Sequence, residues 1–108
     1  MSRRGDFQGT LSALNDAVTL TGADAMAFTE WALYVEFNHT AAAGTILLET
    51  ASVSSYAGTW ATLATVTFSA IDKCHYVSVT GVNRAIRARV SSAVTSGSAL
   101  VTIIGNMA

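Results

Sequence analysis

Short runs of alternating apolar and polar residues dominate the chain. The clearest is EWALYVEF, residues 30–37, where Trp31, Leu33, Val35 and Phe37 share one side and Glu30, Ala32, Tyr34 and Glu36 the other. Successive side chains of a strand point to opposite faces, so this segment is predicted as a strand with its apolar face against a core. Weaker versions of the pattern recur at FQGTLSAL (7–14), AVTLT (17–21), TILLETASV (45–53) and WATLATVTF (60–68). HYVSVTGV (75–82), AIRARVSSAV (85–94) and ALVTIIGNM (99–107) complete the set. Between them lie small polar clusters, such as Asn15-Asp16, NHTAAAG, SSYAG, SAIDKC and TSGS. Such residues turn the chain, whereas β-branched and aromatic runs extend it.

No stretch of helical length carries a 3.6-residue period, so almost no helix is expected. GADAMAF (22–28) is irregular, with room for one helical turn. Eight short strands predict an all-β fold: a two-sheet antiparallel β-sandwich, jelly-roll-like. Trp31, Leu33, Val35, Phe37, Ile86, Val90, Val101 and Ile103 are the expected core. Residues 1–7 are set apart as an N-terminal arm, and residues 8–108 form the single domain.

Composition changes the picture in one respect. Of 108 residues, 51% are hydrophobic and only 12% charged, about half the usual charged share. Mean hydropathy is +0.43. So small a domain cannot bury all of that surface, which points to contact with other subunits. The net charge of −1 offers no electrostatic attraction for nucleic acid or an acidic membrane surface. No apolar run approaches the length of a membrane span. The N-terminus lacks the apolar core of a signal peptide, which leads to an expectation of synthesis in the cytoplasm.

Candidate chemistry is sparse. The single cysteine, Cys74, precedes His75; neighbours on a strand face opposite ways, so the pair is read as a packed thiol beside an ordinary histidine, with no metal site. Glu36 and Glu49 could face each other across a hairpin, but the acids otherwise read as solvated strand-face groups. No nucleophile elbow and no phosphate-cradling glycine motif occurs. No catalytic residue, cofactor or metal is therefore expected. Tyr34 and Tyr76 fall on polar faces and are the candidates for a glycan platform.

Three of the six basic residues, Arg84, Arg87 and Arg89, crowd into VNRAIRARVSSAV (82–94). Arg87 and Arg89 point the same way from a strand whose other face is Ile86, Ala88 and Val90. Guanidinium groups suit bidentate pairing with carboxylates at interfaces, so this pair is read as an interface candidate, with a solvated strand face as the alternative.

Residues 44–105 carry a further pattern: GTILLETASV, GTWATLATVTF, HYVSVTGVNRAIRARVSS and SGSALVTIIG in order. This resembles the β-sandwich modules of small structural proteins of tailed bacteriophages. There a strand ending in Glu leads to a Trp-initiated strand, and an aromatic lies near an Arg-x-Arg strand. The matching positions are Glu49, Trp60, Tyr76, Arg87 and Arg89, while SVSSYAG replaces the family's usual Asp-Gly turn. The resemblance implies a capsid decoration (cement) protein, since a short chain starting at its own Met is more like these than like a fibre domain. It implies the major capsid protein as partner, a homo-oligomer with a trimer favoured, and a place on the outer capsid surface. Ser2, Arg3, Arg4 and Phe7 of the arm, with Arg87 and Arg89, are then the expected partner contacts. The alternative is a receptor- or glycan-binding module of a tail or head fibre.

Overall fold

In the computed structural model, residues 3–21, 25, 28–53, 55–71, 73–81 and 84–107 are described, with residues 3–5, 21 and 107 described by their backbone alone. Among them run eight strands: β1 (Arg3–Leu11), β2 (Ala17–Thr21), β3 (Glu30–Phe37), β4 (Ala43–Ala51), β5 (Ala61–Thr67), β6 (Cys74–Thr80), β7 (Ala85–Thr95) and β8 (Ala99–Met107). They form two four-stranded sheets, sheet I in the order β1-β8-β3-β6 and sheet II in the order β2-β7-β4-β5. Every pairing is antiparallel. Only β4 and β5 are consecutive in the chain and adjacent in a sheet; every other connection crosses between sheets. The result is an all-β sandwich of two antiparallel sheets, as the alternation predicts.

The core lies between the sheets and is made of the residues the alternation turned inward. Leu33, Val35, Ile46, Ile86, Ala88, Val90, Val101 and Ile103 are fully buried. At one end Phe28 meets Trp31 edge to face, with ring centroids 5.5 Å apart. Gly105 makes room for this: a Cβ there would strike the Phe28 ring. The eight expected core residues are all buried.

Strand bounds differ most from the expected ones in β1 and β4, while β5, β6 and β7 shift by one or two residues at their ends. β1 begins at Arg3 rather than Phe7, and Arg3 to Phe7 pair with Met107 to Ile103 of β8. These residues, expected as an arm lying across a neighbour, instead continue an edge strand. A partly open ladder would leave the polar backbone of β8 unpaired, and extending β1 satisfies it. The phenyl ring of Phe7 accordingly packs half-buried against the core. Second, β4 runs over Ala43–Ala51, two residues earlier than read. It places Glu49 opposite Thr62 of β5 with a bulge next to Leu48.

Candidate functional site

Glu36 and Glu49, which the sequence allowed to face each other across a hairpin, do not do so. Glu36 lies on β3 in sheet I and Glu49 on β4 in sheet II. Nor is Glu49 solvated: it is 1% exposed. Its neighbour is set by register. On the outer face of sheet II, β4 pairs with β7 so that Glu49 stands directly opposite Arg87, with Arg89 one step along the diagonal. Cross-strand and diagonal neighbours on one face are within reach of long side chains. Arg87 Nε donates to Glu49 Oε1 at 2.9 Å. Arg89 donates from Nε to the same oxygen at 2.9 Å and from a terminal nitrogen, Nη2, to Oε2 at 3.1 Å.

Two loops finish the arrangement. Asn15, in the β1–β2 turn, adopts φ 71°, a left-handed conformation that asparagine tolerates better than most residues. Its side-chain carbonyl accepts from Arg89 Nη1 at 2.9 Å. Trp60, just before β5, lies beneath Arg87, whose guanidinium carbon is 4.0 Å from the ring centroid. The indole N–H is held by the Tyr56 carbonyl at 3.1 Å. Trp60 is only 3% exposed, yet it stands outside the main core. It is the platform under Arg87 rather than the start of a strand.

The electrostatics follow from this geometry. Burial opposes ionisation of Glu49, but hydrogen bonds from Arg89 and Arg87, and their charges, outweigh it and hold the carboxyl below its ordinary value. The Arg89 guanidinium is in turn held more firmly protonated by its bond to Glu49. Arg87 and Arg89 therefore do face away from the core as read, but neither is a bare interface residue. Arg89 spends all three nitrogens inside the molecule. Of the other expected contacts, Arg3 and Arg4 lie on β1 with side chains outside the described residues, and so does all of Ser2.

The outer face of sheet I is different. Gln8, Thr102, Tyr34 and Tyr76 form one row across all four strands. Gln8 Nε2 donates to the Thr102 hydroxyl at 3.0 Å. The two tyrosine rings lie 5.0 Å apart, tilted by 53°. Tyr34 is 37% and Tyr76 57% exposed, with Leu100 exposed on the neighbouring row. Beside Tyr76 a hollow of about 270 Å³ is edged by Glu30, Ser78, Thr80 and Asn106. Cys74, read as a packed thiol, is exposed at the edge of this sheet. Its side chain shares the outer face with Glu36, because the period of the strand places His75, not Cys74, inward. His75 meets Phe37 edge-on at 5.8 Å. No group of three or more His, Cys, Asp or Glu able to hold a metal is present among the described residues.

The sequence singled out both arginines, and Glu49 and Trp60 as positions of the resemblance, but it did not join the carboxylate or the tryptophan under Arg87 to the arginine pair. The signal was available in part: Glu49 is the only acid in TILLETASV, and among the residues of its own strand no other long polar side chain could pair with it.

No family model matches this chain, and no curated protein sequence does. Its fold is similar to that of an SPBc2 prophage-derived protein, YomS, at a TM-score of 0.65 and 10% identity, covering 98% of this chain and 95% of that one. It is also similar to a protein of Bacillus endospore appendages, a family of disulfide-linked pili, at a TM-score of 0.51 and 12% identity over 99% and 89% of the two chains. A match to the cyanophage Pam1 capsid asymmetric unit, at 19% identity over 99% and 86% of the chains, reaches a TM-score of only 0.37 and carries no argument. At these identities the likeness is one of fold.

Proposed function

We propose that this chain is a non-enzymatic structural protein of a bacteriophage particle, a capsid decoration (cement) protein that docks on the outer surface of the shell. The observation that carries this reading is the outer face of sheet I. It presents an exposed tyrosine pair and Leu100 on four hydrogen-bonded strands. Tyrosine supplies large contact area with few rotatable bonds, and a sheet holds it in place before the partner arrives. An interface of standard size, about 1,600 Å² in total, is within reach of such a face. Repeated over many symmetric positions, it would brace joints between capsomers. Self-association, with a trimer favoured, belongs to the same reading, as does the major capsid protein as partner. A non-enzymatic role is supported by the state of Glu49, the buried carboxylate among the described residues: its three hydrogen bonds from guanidiniums keep it ionised and occupied.

The test uses particles lacking the protein. Purified wild-type protein is expected to fill them and to raise the temperature of DNA release, and Tyr34→Ala with Tyr76→Ala to abolish occupancy while remaining folded. Copurification with tails and no binding to shells would overturn the assignment.

A second reading rests on the hollow beside Tyr76, where an aromatic ring adjoins the polar groups of Glu30, Ser78 and Asn106. That combination suits a sugar ring, stacked on one side and hydrogen-bonded at its edge, as in a fibre's receptor-binding module. Specific binding on a glycan array, lost in Tyr76→Ala, would select it.

A further inference from the structure

We propose that Arg87, stacked on Trp60 and tethered to Glu49, is the recognition fork of a binding site for a carboxylate of the kind an aspartate or glutamate side chain of a docking protein presents. The site lies on the outer face of sheet II, away from the tyrosine face, and stands independently of the reading above. It is a hollow of about 290 Å³ edged by Asn15, Thr59, Trp60, Arg87 and Arg89, with Glu49 below.

The two arginines differ in what they have left to give. Arg89 donates from Nε and both terminal nitrogens to Glu49 and Asn15. Arg87 donates from Nε alone, and its two terminal nitrogens have no partner among the described residues. Its side chain is 23% exposed. Those two N–H groups form the edge of the guanidinium that matches the two oxygens of a carboxylate.

Three features favour an incoming anion here. Arg87 is held over the Trp60 ring on one side and by its Nε bond to Glu49 on another, so little rotamer freedom remains to be lost on binding. Two guanidiniums share one carboxylate, which leaves one positive charge uncompensated in the hollow. Glu49 is 1% exposed and takes three hydrogen bonds from the two guanidiniums, so it presents little negative charge to the visitor. A planar monoanion fits this arrangement. A phosphate dianion would bring a second negative charge beside Glu49 with no further cation in the hollow to meet it.

The probe is sodium acetate, titrated into ¹⁵N-labelled protein against sodium chloride at matched ionic strength, following the Arg87 Nε–H and Trp60 indole signals. Saturable shifts with acetate and none with chloride are expected. Arg87→Lys keeps a cation for Glu49 but lacks the fork; acetate should bind it about tenfold more weakly, the loss of one charge-assisted hydrogen bond. Should that variant fail to fold, Trp60→Phe, with a smaller platform, should weaken binding several-fold. Tyr34→Ala, on the opposite sheet, should leave the response unchanged. A linear drift equal to that with chloride would overturn the site. So would a response that survives both Arg87→Lys and Trp60→Phe, or one that disappears in Tyr34→Ala. Tighter binding of inorganic phosphate than of acetate would overturn the carboxylate as its ligand, and much tighter binding of glucuronate would assign the site to an acidic sugar instead of a protein side chain.

Discussion

On the outer face of sheet II a carboxylate is 1% exposed and two arginines close over it; on the outer face of sheet I two tyrosines stand 37% and 57% exposed, their rings partnered only with each other among the described residues. Both faces belong to four-stranded sheets over one core, so the strands alone do not account for the contrast. The difference arises at the edges. Sheet II is overhung by the β1–β2 turn and the loop before β5, which supply Asn15 and Trp60. These shield Glu49 from water and raise the cost of leaving it unpaired, so the arginines are drawn in. Over sheet I no described side chain closes on the tyrosines, and they keep their area for a partner. One face is internally satisfied save for the fork of Arg87, and the other is open.

The largest effects should not distinguish the faces. Leu33→Ala from sheet I and Ile46→Ala from sheet II, both fully buried, should each cost about 2–5 kcal/mol in urea unfolding. A much smaller cost for one would mean that the sheets do not share one core. Next comes Arg89→Ala, which leaves Glu49 buried with a single cation. We expect a loss of about 3 kcal/mol, at the low end for a broken buried pair because both guanidiniums still touch water. A change below ~1 kcal/mol, the range of exposed pairs, would show that the cluster is solvated in solution.

The same cluster sets a pH dependence. The folded state lowers the Glu49 pKa from its ordinary value of 4.5. Its contribution to stability is therefore complete above pH 4.5 and is lost as pH falls below that value toward the folded pKa. Urea midpoints measured downward from neutral pH should fall through this window in the wild type. Glu49→Gln should flatten that part of the curve, and an unchanged acid limb would refute the linkage. The smallest effect on stability belongs to sheet I. Tyr34→Ala removes an exposed ring that packs against Tyr76, and should cost about 1 kcal/mol or less. Its consequence should be loss of shell occupancy, the reverse of the pattern at Arg89.

Most of the architecture was legible in the chain. β2, β3 and β8 have the bounds their alternation predicts, and β7 differs by one residue. The strand that was misjudged most, β1, contains Arg3-Arg4-Gly5-Asp6, a polar run with no alternation to read; it is extended because β8 is there to pair with it. The candidate site was legible only in halves. The shared direction of Arg87 and Arg89 followed from spacing, and the outward position of Tyr34 did too.

What the sequence determined by itself was local: which segments extend, and which side of each faces inward. A period of two residues is written within a single strand and needs no knowledge of its neighbours. The fate of the charges was decided by tertiary structure. Glu49 and its arginines are 38 and 40 residues apart, and nothing within either strand says that β4 will lie beside β7 in the register that sets Glu49 opposite Arg87. That pairing, with Trp60 of a third segment lying under Arg87, turns a strand-face acid into a buried anion, because desolvation and Coulomb attraction depend on distance through space rather than along the chain.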